Sequence, residues 1–202
     1  MKEKAIKEKI MMVLVLVAVS IASSLMLAGI NDFSYDMIKM NKERKLKVAV
    51  LSALEIPLGN REPEKVFSSS IKRITTPEGP IYLSTDDRQK GVAFSAKGSG
   101  FWGPIIVMVG VDPETLTIKG VEILQQEETP GLGARIEEDR FRNQFKGKSM
   151  DTPIRMMIKG AKPGPNDVEA VAGATLSSKF MEEIINEKSK PFIEAVRRLD
   201  LD

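Results

Sequence analysis

The chain has 202 residues, enough for one domain with a hydrophobic core plus an appendage. It contains 30 basic and 28 acidic residues, no Cys and no His. Without Cys there is no disulfide, thiol nucleophile or thiolate-bound iron–sulfur cluster, and without His the commonest general base and metal ligand is missing. Any redox chemistry must therefore use an imported organic cofactor.

The charges are unevenly distributed along the chain. Residues 1–9 hold four Lys and two Glu, residues 10–30 hold no charge, and the remainder holds 26 basic and 26 acidic residues. A neutral body has no electrostatic basis for binding a phosphate backbone, so we predict that nucleic acid is not a partner.

An uncharged apolar run of 21 residues extends from Ile10 to Ile30. A helix of this length spans roughly 30 Å, which matches the hydrocarbon core of a bilayer. A cleaved signal peptide is the alternative, but the apolar run is longer than the usual core of about 7–15 residues. We therefore predict a single transmembrane anchor over residues 10–30.

The orientation of this anchor is not decided by the positive-inside rule, because basic residues lie on both sides of the apolar run. Asp32 and Asp36 follow the run before any Lys does. This order favours an orientation in which the N-terminal residues 1–9 are cytoplasmic. The rest of the chain is then expected to be extracytoplasmic, anchored to the cytoplasmic (inner) membrane by one helix.

After the anchor, helical spacing over residues 32–56 predicts that the helix continues as a connector over residues 31–59. Residues 60–202 form the predicted domain, with helices around 137–145 and 177–199. A hairpin turn is expected at Asp112–Thr115. The predicted strands are Ser70–Thr75, Ile81–Ser84, Gly91–Ala96, Pro104–Val111, Thr117–Gln125 and Ile154–Lys159. Because strands and helices are segregated, we predict an α+β fold with a mainly antiparallel sheet.

A run of small and hydroxyl residues, Ala172 to Ser178, precedes the last predicted helix. The first turn of a helix leaves backbone N–H groups unpaired at the positive end of the helix dipole, so this junction suits a phosphate. The alternative is that Thr175 or Ser177 simply caps the helix.

Three segments together resemble the FMN-binding domain family, which includes the G subunit of Rnf electron transport complexes and the C subunit of the sodium-pumping NADH:quinone oxidoreductase. They are Gly98–Ile105 (GSGFWGPI), Glu128–Gly133 (ETPGLG) and Gly173–Ser178 (GATLSS). In that family a threonine carries FMN through a phosphoester bond, and Thr175 is the matching residue. With the anchor, the resemblance extends over the whole chain.

The resemblance implies a cofactor site around covalently bound FMN. Trp102 is expected either to stack on the flavin ring or to pack in the core. Lys159 is expected either to place positive charge near the ring or to be solvated. The candidate site residues are Thr175, Gly173, Ala174, Leu176, Ser177, Ser178, Glu128, Thr129, Pro130, Gly131, Leu132, Trp102 and Lys159.

Four residues depart from the family pattern. Glu169 and Ala172 stand where Asp and Ser are usual, and Gln125 and Gln126 stand where some members have a His. These departures concern the efficiency of flavin attachment and leave its position unchanged.

The resemblance also implies a function: an electron-transfer subunit of an Rnf-type, ion-translocating ferredoxin:NAD oxidoreductase, without a complete active site on this chain alone. The expected partners are the other membrane subunits of the complex and, during maturation, a flavin transferase that uses FAD. Three alternatives remain: the C-type subunit of the quinone reductase, a separate extracytoplasmic flavoprotein reductase or regulator, and a flavin-free anchored binding module. The short chain favours the Rnf type.

Overall fold

The structure is a computed structural model that describes residues 2–86, 89–158, 160 and 162–198. The chain divides into two compact units, Met1–Glu43 and Arg44–Asp202. The first helix, α1 (Lys2–Ala53), contributes to both of them.

The first unit consists of the apolar part of α1. This is the one helix among the described residues that is long and apolar enough to cross a membrane. All side chains from residue 6 to residue 33 are exposed, including Leu25 and Met26 at 69% and 71%. Because so much exposed apolar surface is costly in water, the helix is suited to a single-pass membrane anchor.

The second unit begins with the last turns of α1 and the short helix α2 (Pro63–Ser70). Five strands follow and form one antiparallel sheet in chain order. They are β1 (Ile71–Thr76), β2 (Gly79–Ser84), β3 (Val92–Ser99), β4 (Pro104–Val111) and β5 (Ile118–Gln125).

The C-terminal part is mainly helical. Two 3₁₀ turns, Gly133–Glu137 and Asn143–Phe145, flank the four-residue helix α3 (Asp139–Arg142). A small parallel pair, β6 (Arg155–Met157) and β7 (Asp167–Glu169), precedes the last helical stretch. That stretch consists of α4 (Thr175–Glu183), a π-helical turn (Ile184–Lys188) and α5 (Lys190–Arg198).

Alternate residues of the central strands face opposite sides of the sheet, as the two-residue period of a strand requires. On one side, Val107 and Val109 of β4 belong to the core that includes the C-terminal helices. On the other side, Met108 belongs to a second cluster with Val50, Leu51 and other residues at the end of α1.

Two paired glycines receive the end of α1. Gly110 and Gly120 are cross-strand partners in β4 and β5. A Cβ atom at Gly110 would lie 2.0 Å from the carbonyl oxygen of Ala53, and one at Gly120 would lie 3.0 Å from it. The close approach of the helix end to the sheet therefore depends on glycine, most strictly at position 110.

The predicted α+β class and antiparallel sheet are confirmed. The predicted strand Pro104–Val111 matches β4, and β5 begins one residue later than predicted. The strand predicted at Ile154–Lys159 is shorter, since β6 covers Arg155–Met157.

The helix predicted around residues 137–145 is present in part, because helical backbone covers Asp139–Phe145 as α3 and the second 3₁₀ turn. Glu138 has an extended backbone, with φ −63° and ψ 135°, which separates the first 3₁₀ turn from α3. Phe141 and Phe145, both buried, pack edge to face, with ring centroids 5.3 Å apart.

The last helix begins at Thr175, two residues earlier than predicted, and it is interrupted at Ile184–Lys188. There the amide and hydroxyl of Ser189 both donate to the carbonyl oxygen of Ile184, at 3.1 Å and 3.2 Å. This five-residue spacing defines a π turn. The strand β3 passes close by, since a Cβ at Gly98 would lie 2.4 Å from Ile184 Cγ1.

Candidate functional site

The predicted attachment residue lies at the start of α4. Gly173 has φ +80°, a conformation that favours glycine, and it turns the chain into the helix after Ala174. Thr175 is the first residue of α4, and its side chain is exposed. The amide of Ser178 donates to the carbonyl of Ala174 at 2.9 Å and makes the first hydrogen bond of the helix. The amides of residues 175–177 therefore have no acceptor within the helix.

The alternative in which Thr175 or Ser177 caps the helix is wrong. Among the described residues, α4 has no side-chain cap, and the Thr175 hydroxyl has no hydrogen-bond partner. The Ser178 hydroxyl instead fastens the preceding loop. It accepts from the amide of Val171 and donates to the carbonyl of Ala174, both at 3.0 Å.

A buried carboxylate connects this helix to a neighbouring loop. Glu128 is 5% exposed, and its Oε2 accepts a hydrogen bond from the hydroxyl of Ser177 at 2.5 Å. Its Oε1 accepts from the amides of Phe101 and Trp102, at 2.7 Å and 3.3 Å. A single side chain thus joins the start of α4 to residues 100–103, which we call the aromatic loop.

Two glycines make room for this carboxylate. A Cβ at Gly100 would lie 2.6 Å from Glu128 Oε1, and a Cβ at Gly133 would lie 2.6 Å from Oε2. The amide of Gly100 also donates to the carbonyl of Gly103 at 2.8 Å and closes the aromatic loop. The glycines of two predicted motifs therefore serve one hydrogen-bonded cluster.

An open cleft of about 490 Å³ lies in front of Thr175. Four large apolar side chains around it are more than half exposed: Phe101 56%, Trp102 66%, Leu132 52% and Leu176 56%. The rings of Phe101 and Trp102 meet edge to face, with centroids 5.2 Å apart. Because Trp102 is largely exposed, the alternative that it packs in the core is wrong.

The structure brings most of the predicted site residues together. Ser178 is buried behind the cleft, Pro130 and Gly131 are exposed but do not line it, and Lys159 lies outside the described residues. Phe101 and Gly133 also line the cleft and were absent from the prediction, although both belong to motifs that carried the resemblance. The predicted residues that line it are Trp102, Glu128, Thr129, Leu132, Gly173, Ala174, Thr175, Leu176 and Ser177.

Hydrogen bonds hold the backbone of Ala172 and Glu169, two of the residues that depart from the family pattern. Arg135 donates from Nη1 to the carbonyl of Ala172 at 3.0 Å, and it pairs with Glu138 at 2.8 Å. The hydrogen bond from Arg135 lowers the pKa of Glu138, and the same bond raises the pKa of Arg135. Glu169 exchanges two backbone hydrogen bonds with the side chain of Gln144, at 2.8 Å and 3.1 Å.

The chemistry of this cleft suits a flavin nucleotide. An exposed hydroxyl at Thr175 is available for a covalent bond, and the unpaired amides at the helix start favour a phosphate. The exposed apolar side chains offer contact surface to a flat ring.

Comparison with known proteins agrees with this geometry. Residues 100–190 match the family model described as FMN-binding domain. The C subunit of the Na(+)-translocating NADH-quinone reductase from Yersinia pestis is 33% identical over 130 residues, covering 58% of this chain and 49% of that protein. The corresponding protein from Vibrio alginolyticus is 27% identical over 184 residues, covering 85% and 67%.

A second kind of relative is the G subunit of the proton-translocating ferredoxin:NAD(+) oxidoreductase complex of Clostridium ljungdahlii. It is 35% identical over 92 residues, covering 46% of this chain and 48% of that protein. The chain therefore spans about half the length of the Yersinia pestis and Clostridium ljungdahlii relatives.

Two solved structures share the fold. NqrC from Shewanella oneidensis superposes with a TM-score of 0.66 at 22% identity, covering 78% of this chain and 99% of that one. The C subunit of the Na(+)-translocating NADH-quinone reductase from Parabacteroides distasonis gives a TM-score of 0.69 at 23% identity, covering 81% and 97%.

Proposed function

We propose that the chain holds FMN covalently on Thr175, because residues 100–190, which include the lining of this cleft, match the FMN-binding domain family model. We further propose that it serves as the electron-carrying subunit of an Rnf-type, ion-translocating oxidoreductase complex. The observation that carries the proposal is the exposed Thr175 hydroxyl, without a partner among the described residues, in the first turn of α4.

The covalent bond forms between the Thr175 oxygen and the phosphorus on the riboflavin side of FAD. The pyrophosphate P–O bond breaks, AMP leaves, and the hydroxyl proton is released. The product is a phosphodiester that keeps one negative charge beside the helix start, where the helix dipole stabilises it by about 0.3–1 kcal/mol. The transferring enzyme is a flavin transferase, which we propose as a partner during maturation.

The walls of the cleft suit the ring of the flavin. In the proposal, Leu132, Leu176 and the aromatic loop contact the ring, while the backbone of Glu128 and Thr129 faces its polar edge. Lys159, which lies outside the described residues, supplies positive charge. FMN accepts and releases electrons when bound, and the residues of the chain orient it and exclude water from one face.

Covalent attachment also suits the proposed location. We propose that residues 1–9 are cytoplasmic, that residues 10–30 cross the inner membrane, and that residues 31–59 connect to an extracytoplasmic FMN-binding domain at 60–202. A reversibly bound cofactor outside the cytoplasm would be lost by dilution, whereas a phosphodiester cannot dissociate. The other membrane subunits of the complex would supply and accept the electrons.

The attachment is tested by co-expression with a flavin transferase, followed by denaturing electrophoresis and detection of flavin fluorescence on the band. We expect the wild-type chain to be labelled and Thr175→Ala to be unlabelled. The matched control is Thr152→Ala, which removes an exposed threonine from a loop before β6 and should leave labelling unchanged. An unlabelled wild type, or labelling of Thr175→Ala, would contradict the proposal.

The type of complex requires a separate test, because relatives of both kinds are similar to this chain. Purification of the tagged chain from its native membrane should recover the other subunits together with ferredoxin:NAD oxidoreductase activity. NADH:quinone reductase activity in the same preparation would favour the C-type subunit. Recovery of a solitary flavoprotein would favour a separate reductase or regulator.

A further inference from the structure

We infer that Glu128 is a positioning residue, which fixes the aromatic loop relative to the first turn of α4 and thereby sets how Trp102 faces the flavin. The part of the inference that concerns flavin rests on the proposed function, whereas the part that concerns Trp102 does not.

Both oxygens of the carboxylate already accept hydrogen bonds from the protein. One oxygen accepts two amides of the aromatic loop, and the other accepts the Ser177 hydroxyl at 2.5 Å. At 5% exposure, the side chain is enclosed by the segments that it joins. Glu128 therefore acts on the cleft through its neighbours, and this differs from the direct cofactor contact expected from the sequence.

The aromatic loop depends on these hydrogen bonds because its side chains contribute little burial. Phe101 and Trp102 are 56% and 66% exposed, so most of their apolar surface remains in contact with solvent. The loop is closed on itself by the bond between Gly100 and Gly103, but that bond does not connect it to α4. Glu128 makes this connection, across 27 residues to Phe101 and 49 residues to Ser177.

A carboxylate suits this role because it only accepts hydrogen bonds and its two oxygens point in different directions. Glutamine preserves the arrangement in part. Its oxygen can accept from the loop amides while its NH₂ group donates to the Ser177 oxygen. Alanine removes both connections and leaves the two loop amides without an acceptor, a larger loss than a single exposed hydrogen bond.

The position of Trp102 can be measured directly, because it is the only tryptophan in the chain. In the full-length protein in detergent micelles without flavin, we expect Glu128→Ala to lower the fluorescence anisotropy of Trp102, because the backbone that carries it is released. Acrylamide quenching should change little, since the side chain is already 66% exposed. Glu128→Gln should restore nearly the wild-type values, and Ser177→Ala should give intermediate ones. Glu137→Ala, which removes an exposed acid, is the matched control and should change nothing.

The same variants are then loaded with flavin through a flavin transferase. We expect Glu128→Ala to be labelled at Thr175 but to show brighter flavin fluorescence and a shifted reduction potential, both recovered by Glu128→Gln. A merely structural role would lower the melting temperature without changing the spectrum or potential of the folded protein, and this result would overturn the inference.

The outcomes separate the two proposals. An unlabelled wild type would contradict the proposed function, while the Trp102 measurements would still decide the role of Glu128. Unchanged anisotropy of Trp102 in Glu128→Ala would overturn the positioning role whether or not flavin is attached. Where Glu128→Ala does not fold, unchanged anisotropy of Trp102 in Ser177→Ala would overturn it instead.

Discussion

The end of α1 and the aromatic loop are both joined to the domain through glycine, but they are held by different forces. At the end of α1, Val50, Leu51 and Leu54 are fully buried, and Gly110 allows the helix backbone to approach the sheet. In the aromatic loop the large side chains face outwards, and hydrogen bonds to one carboxylate hold the backbone. Apolar burial thus stabilises the face of the sheet that packs against the end of α1, which we call the anchored side. The cleft side keeps its apolar surface available for a ligand.

Among substitutions of the glycines, the comparison predicts the largest effect for Gly110→Ala. A Cβ there would lie 2.0 Å from a backbone oxygen that cannot move alone, so the end of α1 must shift away. Overpacking costs about 1–3 kcal/mol, which exceeds the gain of about 0.5–1 kcal/mol from replacing a strand glycine by alanine. Gly120→Ala is the control, because its Cβ would lie 3.0 Å from the same oxygen, and it should be nearly neutral. Denaturant unfolding of both variants measures this balance. Equal stability of Gly110→Ala and wild type would contradict the packing argument.

We expect a smaller loss of stability when the pH is lowered, through Asp167 in β7. The hydrogen bond from the amide of Gly164 and the ion pair with Arg155 lower the pKa of Asp167 below its ordinary 3.8. A lowered pKa means that the carboxylate contributes stability above pH 3.8 and loses it as the pH falls through the value in the folded protein.

Unfolding measured against pH tests this contribution. Asp167→Asn should be less stable than wild type near neutral pH, and the difference should shrink in acid, because the asparagine cannot bind the proton. A difference between the two proteins that stays constant with pH would contradict the assignment.

The smallest effect on stability is expected from Leu132→Ala, in the wall of the cleft. This side chain is 52% exposed, so its removal should change the free energy of unfolding by no more than about 0.5 kcal/mol. Leu54→Ala, at 0% exposure on the anchored side, should cost about 2–5 kcal/mol. Similar costs for the two substitutions would remove the distinction between the two sides.

Much of the sheet was predictable because its signals are local. The apolar run Pro104–Val111 between turn residues matched β4 in both bounds. By contrast, β7 (Asp167–Glu169) and α2 (Pro63–Ser70) were not predicted. Three residues are too few to show a strand period, and eight residues give barely two turns of helical spacing.

Most residues that line the cleft could be predicted from the sequence, but the hydrogen bonds that hold them together could not. Thr175 and the three motifs could be identified from the order of residue types, since each motif is continuous in sequence. The connection of Glu128 to Ser177 spans 49 residues and depends on how the loops fold, which no local pattern reports. Phe101 and Gly133 were left out of the predicted site for the same reason.

The strand order of the sheet has a consequence for folding. Its five strands are neighbours in chain order, so each pairing closes a short loop at little entropic cost. The contacts around Thr175 close much longer loops and are expected to form later. A modifying enzyme that requires the finished helix start would then encounter this threonine only in molecules whose sheet is already complete, so cofactor loading would follow, and report, correct folding.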